Sequence, residues 1–290
     1  MFLVSVAPAL FVLIWSTGWI VAKYVAPHAD PLTFLAVRFA TAFLVVAAVA
    51  LAMRAPWPKT RRAAVHAMIS GVLLHTIYLG GIWWAIAQGL PAGISALIAA
   101  VQPLMTAALA ARLGSERLRL VHLAGIVVGF LGVLGVIAPK LGAVGGGEIK
   151  GLGLVIAVNI LAMVGVTLGT FYQKRFVASG DLRTVTALQY VGATLTTLPL
   201  AILLEPMRFE ITAETWLALA WSVVVLSIGA IGLMLMMIRR GAVSKVAALI
   251  YLIPPTAAVQ AWLMFGETLT PLQIACMGIT AFGVYLATRP

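Results

Sequence analysis

The chain repeats itself at a spacing of 151 residues, and this duplication constrains the fold more than any other feature. Residues 91–133, PAGISALIAAVQPLMTAALAARLGSERLRLVHLAGIVVGFLGV, read as an apolar helix with a central proline, a tight polar turn and a second apolar helix. Residues 242–284, AVSKVAALIYLIPPTAAVQAWLMFGETLTPLQIACMGITAFGV, have the same layout. Pro254 stands at the place of Pro103, Glu267 at that of Glu116, Leu269 at that of Leu118 and Gly283 at that of Gly132. The offset also joins Lys23 to Lys174, Thr33 to Thr184, Gly18 to Gly169 and Gly81 to Gly232. It joins Asp30 to Asp181 as well, the only aspartates in the chain.

The repeated unit is built for a bilayer. Of the 290 residues 63% are hydrophobic and 9% charged, where a soluble domain carries about 25% charged residues. Ten apolar runs are separated by short charged or Gly/Pro-containing turns: 1–22, 31–53, 63–87, 92–111, 120–138, 151–172, 182–204, 215–238, 246–266 and 272–288. Each is close to the ~20 residues that cross a hydrocarbon core. None shows the ~10-residue alternation of a transmembrane β-strand. The expected fold is an all-α polytopic membrane protein with ten transmembrane helices as two inverted five-helix repeats. The repeats are 1–139 (helices 1–5) and 152–290 (helices 6–10), with 140–151 as linker. Inversion follows from parity: after five spans the second copy enters from the opposite side. Such repeats are typical of secondary transporters, with substrate held near the midplane between the halves. The stretch LGAVGGGEIKG (141–151) reads as a flexible loop outside the membrane. It is no phosphate-cradling loop, because no Lys-Ser/Thr follows it and no strand precedes it.

The 19 Lys and Arg against 8 Asp and Glu are read as positive charge retained on the cytoplasmic side, not as a nucleic-acid footprint. Arg54, Lys59, Arg61, Arg62, Arg112, Arg117, Arg119, Lys174, Arg175, Arg183, Arg239, Arg240, Lys245 and Arg289 fall on one side of the ten-span arrangement. Only Lys23, Lys140, Lys150 and Arg208 fall on the other. Both termini are therefore expected in the cytoplasm. The chain enters apolar sequence at Met1 with no basic leader, so no cleavable signal peptide is expected. The single cysteine, Cys276, excludes an internal disulfide.

Polar side chains at membrane depth are costly and mark function by default. His75 lies near the middle of helix 3, with Tyr78, Leu79 and Ile82 on its face at helical spacing. Gln102 is central in helix 4 with Ser95 two turns before it. Trp15 and Trp19 stack one turn apart in helix 1, Asn159 and Met163 share a stripe in helix 6, Gln189 and Tyr190 lie on helix 7 and Tyr251 on helix 9. Together these would line an apolar, aromatic cavity with a few polar groups to orient a ligand. Each also has a packing reading, and Trp83 and Trp84, nearer a helix end, read as interfacial anchors. Arg38 is the only charge well inside a span, about 10 Å from one end. It has three readings: it snorkels to the surface, pairs with Asp30, or meets a substrate carboxylate. Pro103, Pro254 and Pro255 break the helical ladder at matching places, as hinges or as static kinks. Glu116 and Glu267 sit just before helix starts, where an acid favours the positive end of the dipole; gating is the alternative.

Several of these features converge on one known family. The ten spans and the five-plus-five duplication resemble the ten-helix EamA branch of the drug/metabolite transporter superfamily. So do WSTGWIVAK in helix 1, DPLTFLAVRF opening helix 2, and the paired P…GSERL and P…GETLTPLQ hairpins. The resemblance covers essentially the whole chain. It implies a secondary carrier in a bacterial inner membrane, usually an exporter of amino acids or related metabolites. The Trp/Tyr/His-lined interior is similar to that of a YddG-type exporter of aromatic and other amino acids, and Trp15 is the position this likeness carries over most directly.

The expected function is export of aromatic and other neutral amino acids from the cytoplasm by alternating access. The substrate side chain would rest on Trp15, Trp19 and Tyr78, with its polar end near His75, Gln102 or Arg38. The alternative is a carrier of another ligand class: a cationic drug, a nucleobase or a vitamin. No carboxylate lies in a membrane centre, so a dedicated cation site is less favoured, and proton coupling would run through His75 or the substrate or be absent. A membrane enzyme is not expected, since the chain has no H-E-x-x-H and no aspartate cluster. No cofactor or metal is implied. The expected partners are a small-molecule substrate and the lipid bilayer, with no nucleic acid; a monomer would suffice.

Overall fold

The computed structural model describes residues 2–99, 101–102, 105–106, 109, 120–143, 149–177, 180–230, 233, 253–266 and 269–287. Its helical segments are α1 (Phe2–Val25), α2 (Pro31–Ala52), α3 (Arg61–Ala87), α4 (Ala92–Ala99), α5 (Leu120–Ala143), α6 (Ile149–Phe176), α7 (Leu182–Leu204), α8 (Ala213–Ala230), α9 (Ile253–Phe265) and α10 (Pro271–Ala287). Each overlaps one of the ten apolar runs read from the sequence. No strand occurs among the described residues; the one isolated bridge joins Ala29 to Phe209. Over their described residues α1, α2, α3, α6, α7 and α8 are long and apolar enough to cross a bilayer. The chain is an all-helical, multi-pass membrane protein. One boundary differs from the sequence reading: α5 runs to Ala143 and α6 begins at Ile149, so much of the 140–151 linker is helical.

The chain forms two compact units, and neither is one of the sequence repeats. The first comprises 1–20, 88–160 and 230–290; the second comprises 21–87 and 161–229. The reason is that corresponding helices of the two repeats pack on each other. In the first unit α5 packs on α10 and α4 on α9; in the second, α2 packs on α7. Glycine makes two contacts close. A Cβ on Gly283 of α10 would collide with the Gly129 backbone of α5. In the second unit a Cβ on Gly71 of α3 would collide with the Gln189 carbonyl of α7, and one on Gly192 with the Met68 carbonyl. Backbone against backbone is how helices associate where lipid removes the hydrophobic drive between them.

Two helices depart from α geometry at matching places. α3 becomes π-helical over Val72–Ile77 and α8 over Trp221–Ala230. Moving 72–77 forward by the repeat offset gives 223–228, inside the second segment. Neither contains proline. A π turn has i→i+5 bonds, is rare, and concentrates at functional sites.

The starts of α2 and α7 show how a shared sequence position acquires different partners. α2 opens with Pro31, which needs no N–H there. Its next free donors are satisfied from another part of the chain: Glu205 accepts from the Leu32 and Thr33 amides at 2.9 and 2.8 Å and from the Thr33 hydroxyl at 2.9 Å. Asp30 caps nothing on α2; its carboxylate accepts from the Arg208 amide at 2.8 Å. Asp181 caps its own helix instead. It accepts from the Arg183 amide at 3.0 Å and pairs with the Arg183 guanidinium at 2.7 Å.

Candidate functional site

The second unit holds a buried charge beside a stack of rings. Arg38 projects from α2, is 6% exposed, and has no carboxylate partner among the described residues. Its Nε is buried and bonded to nothing. Its Cζ lies 5.9 Å from the centre of the Trp83 ring, which stacks on Phe34 at 5.1 Å. The next residue of α2, Phe39, packs against His75 at 5.6 Å. His75 lies in the π segment of α3 and stacks on Tyr190 of α7 at 4.8 Å. Ser227, in the π segment of α8, donates its hydroxyl to the Ser222 carbonyl at 3.0 Å. His75 Nε2 is the second buried polar atom of this cluster without a partner.

Burying a guanidinium without an anion costs several kcal/mol. A cation–π contact returns about 0.5–2 kcal/mol. The balance leaves the Arg38 charge uncompensated among the described residues.

Two of the three readings of Arg38 fail on this geometry. It does not reach the surface, and Asp30 is engaged by Arg208 through the backbone amide and a contact of 3.7 Å to Nε. Trp83 is likewise no interfacial anchor: it is 2% exposed, under the guanidinium. Ile82, on the His75 face by helical spacing, is buried as well. Tyr78 is half-buried on α3 and makes no ring contact among the described residues. Met163 is fully buried in α6.

Other predicted residues spend their polar groups within the protein. Gln189 donates to the Ser70 hydroxyl at 2.9 Å and to Gln173 Oε1 at 3.3 Å. Its neighbour Tyr190 is the residue of that pair that enters the cluster. In the first unit Asn159 and Ser95, both fully buried, bond each other: the Ser95 hydroxyl donates to Asn159 Oδ1 at 3.0 Å and the Asn159 amide donates to the Ser95 carbonyl at 3.4 Å. Gln102 donates one turn ahead to the Thr106 hydroxyl at 3.2 Å. Trp15 is half-buried against Phe11 at 5.2 Å, and Trp19 is buried with its Nε1 unpartnered. Gln260 of α9, which sequence reasoning passed over, donates to the Leu13 carbonyl of α1 at 3.1 Å and leaves its Oε1 unpartnered. Its one signal was an amide inside an apolar run. Pro254 and Pro255 lie in the first turn of α9 as described. Pro103, Tyr251, Glu116 and Glu267 lie outside the described residues.

The model of the EamA-like transporter family matches twice, over residues 4–138 and 152–289. A "Probable amino-acid metabolite efflux pump" of Salmonella typhimurium is 28% identical over 96% of this chain and 92% of its own length. A protein of Escherichia coli strain K12 with the same name is 25% identical over 97% of this chain and 93% of its own. An "Uncharacterized inner membrane transporter YedA" of that strain is 24% identical over 97% and 89%. One crystal structure superposes with a TM-score of 0.64 at 22% identity, over 98% of this chain and 96% of that one. That likeness concerns the fold alone.

Proposed function

Because this chain belongs to the EamA-like transporter family, and so is a transporter rather than an enzyme, we propose that it exports aromatic and other neutral amino acids, or close metabolites of them, across a bacterial inner membrane. The observation that carries the reading is the buried, unpaired Arg38 beside Trp83 and the Phe39–His75–Tyr190 stack. A guanidinium takes the polar end of such a substrate and the ring faces take its apolar body. The names of the Salmonella and Escherichia coli relatives support the same substrate class.

In this reading the repeats 1–139 and 152–290 are inverted, both termini are cytoplasmic, and transport proceeds by alternating access. The distribution of Lys and Arg supports the orientation. The matched π segments in α3 and α8 are the points of weakest helical register and supply the flexion. Trp15, Trp19, Tyr78, Gln102, Met163 and Tyr251 remain candidates for the walls, and Pro103 a candidate second hinge. Asn159 and Gln189 are assigned to helix packing, since their amides are already bonded.

Counterflow in proteoliposomes loaded with unlabelled phenylalanine tests the proposal. Labelled phenylalanine should accumulate transiently in vesicles containing the protein and not in empty ones. No accumulation with any amino acid, while a nucleobase or quaternary amine exchanges, would replace this reading with the other ligand class.

A further inference from the structure

We infer that the Arg38 cluster recognises a carboxylate together with an apolar or aromatic body, and that it does not require an α-amino group. Resting on the reading above, this widens the substrate class from amino acids to apolar monocarboxylic acids. The class includes arylalkanoates, aromatic 2-oxo acids and N-acylated amino acids.

Three observations carry it. First, Arg38 is nine-tenths buried and its Nε has no partner. Intramembrane arginines are retained where they meet a partner or a substrate path, and the planar fork of a guanidinium fits the two oxygens of a carboxylate. Second, a purely structural role would leave the group satisfied, as it does at the corresponding place in the other repeat. There Gln189 donates to both Ser70 and Gln173. Third, nothing near Arg38 is fitted to hold an ammonium. Among the described residues of the second unit the acids stand at helix ends. Asp30 is held by Arg208, Asp181 by Arg183, Glu205 by the amides of α2 and Glu210 by His28; Glu214 lies in the first turn of α8. The rings of Phe39, His75 and Tyr190 offer π faces, but Arg38 is the chain neighbour of Phe39, which packs on both of the other rings at 5.6 and 6.1 Å. Its charge opposes a second cation there. The site therefore carries one fixed positive charge and is neutralised by one carboxylate.

The test uses the purified full-length protein and four ligands of one shape: phenylalanine, 3-phenylpropanoate, phenylalaninamide and phenethylamine. Thermal stabilisation reports binding, and counterflow reports exchange. Phenylalanine and 3-phenylpropanoate should stabilise and exchange alike, with affinities within roughly tenfold. The amide and the amine should be weaker by roughly tenfold or more, the loss expected when a buried charge goes unpaired. Arg38→Gln should abolish the distinction between acids and amines while keeping the melting profile of a folded protein. If phenylalanine binds and 3-phenylpropanoate does not, the inference is overturned and the amino-acid reading stands. If the amine and amide bind as tightly as the acids, the carboxylate receptor is overturned. If none of the four binds or exchanges, the proposed function falls with it.

Discussion

Arg38 and Gln189 occupy the same position in the two repeats, on helices α2 and α7 that pack against each other. Their neighbours Phe39 and Tyr190 are also repeat mates, and their rings stand 6.1 Å apart. One fold thus presents two chemical versions of one site. The α7 version is closed: Gln189 is tied to Ser70 and Gln173, and α3 runs so close that Gly71 has no room for a side chain beside it. The α2 version is open: Arg38 and His75 each keep a buried polar atom without a partner. The difference separates the two duties of a buried polar group. A saturated one specifies packing; an unsatisfied one, retained at a cost of about 1–3 kcal/mol, is kept for what it meets.

Converting one version into the other gives the largest effect. Arg38→Gln copies the second repeat into the first and should lower transport roughly 30-fold or more, the loss of about 2–5 kcal/mol for an unpaired buried carboxylate. Melting temperature should hold or rise, because an uncompensated charge leaves the core. Counterflow and a thermal melt on the same preparation decide it. The reciprocal change, Gln189→Leu, should do the opposite: stability falls by about 1–3 kcal/mol as Ser70 and Gln173 lose their donor, with KM unchanged. A large KM change there would erase the contrast.

His75→Leu copies Leu226, its repeat mate. It removes the ring between Phe39 and Tyr190 and should weaken aromatic substrates more than aliphatic ones. The loss is about 0.5–1.5 kcal/mol, measured as the ratio of exchange rates for phenylalanine and leucine.

The smallest effect is at the paired aspartates. Arg183 bonds the Asp181 carboxyl and holds it well below the ordinary value of 3.8, at about 2. A depressed folded pKa stabilises the protein above the unfolded value. Its contribution is lost as pH falls from 3.8 through about 2. Asp181→Asn keeps a good capping residue and removes the ion pair, so it should lower the melting temperature at pH 6 by the equivalent of about 0.2–1 kcal/mol. The gap to wild type should narrow as pH drops toward 2. A gap that is constant with pH would remove the ion pair from the account.

How far the sequence carries depends on the residue. Ten helices were legible because apolar content over ~20 residues is a sum along the chain. The close approach of α5 and α10 at Gly129 and Gly283 came from the structure: only small residues allow it. The rings around Arg38 were partly legible. His75 and Tyr190 stood out as polar-tipped groups at depth, but Trp83 reads as an interfacial anchor from its place near a helix end, and only the packing of α2 on α3 puts Arg38 over its ring. The duties of Asn159 and Gln189 were illegible. An amide at depth looks the same whether it faces a ligand or another helix, and only its partner's position tells them apart.

By itself the amino-acid order determined that this chain crosses a membrane repeatedly as helices, that it is a duplication, and that it belongs with the EamA-like transporters. Those properties are local or periodic and survive any particular packing. Tertiary structure decided that repeat mates pair with each other, that α3 and α8 open into π turns, and that Arg38 is left unsatisfied while Gln189 is not. Hydrogen-bond satisfaction belongs to facing helices in a given register, and no single segment contains it.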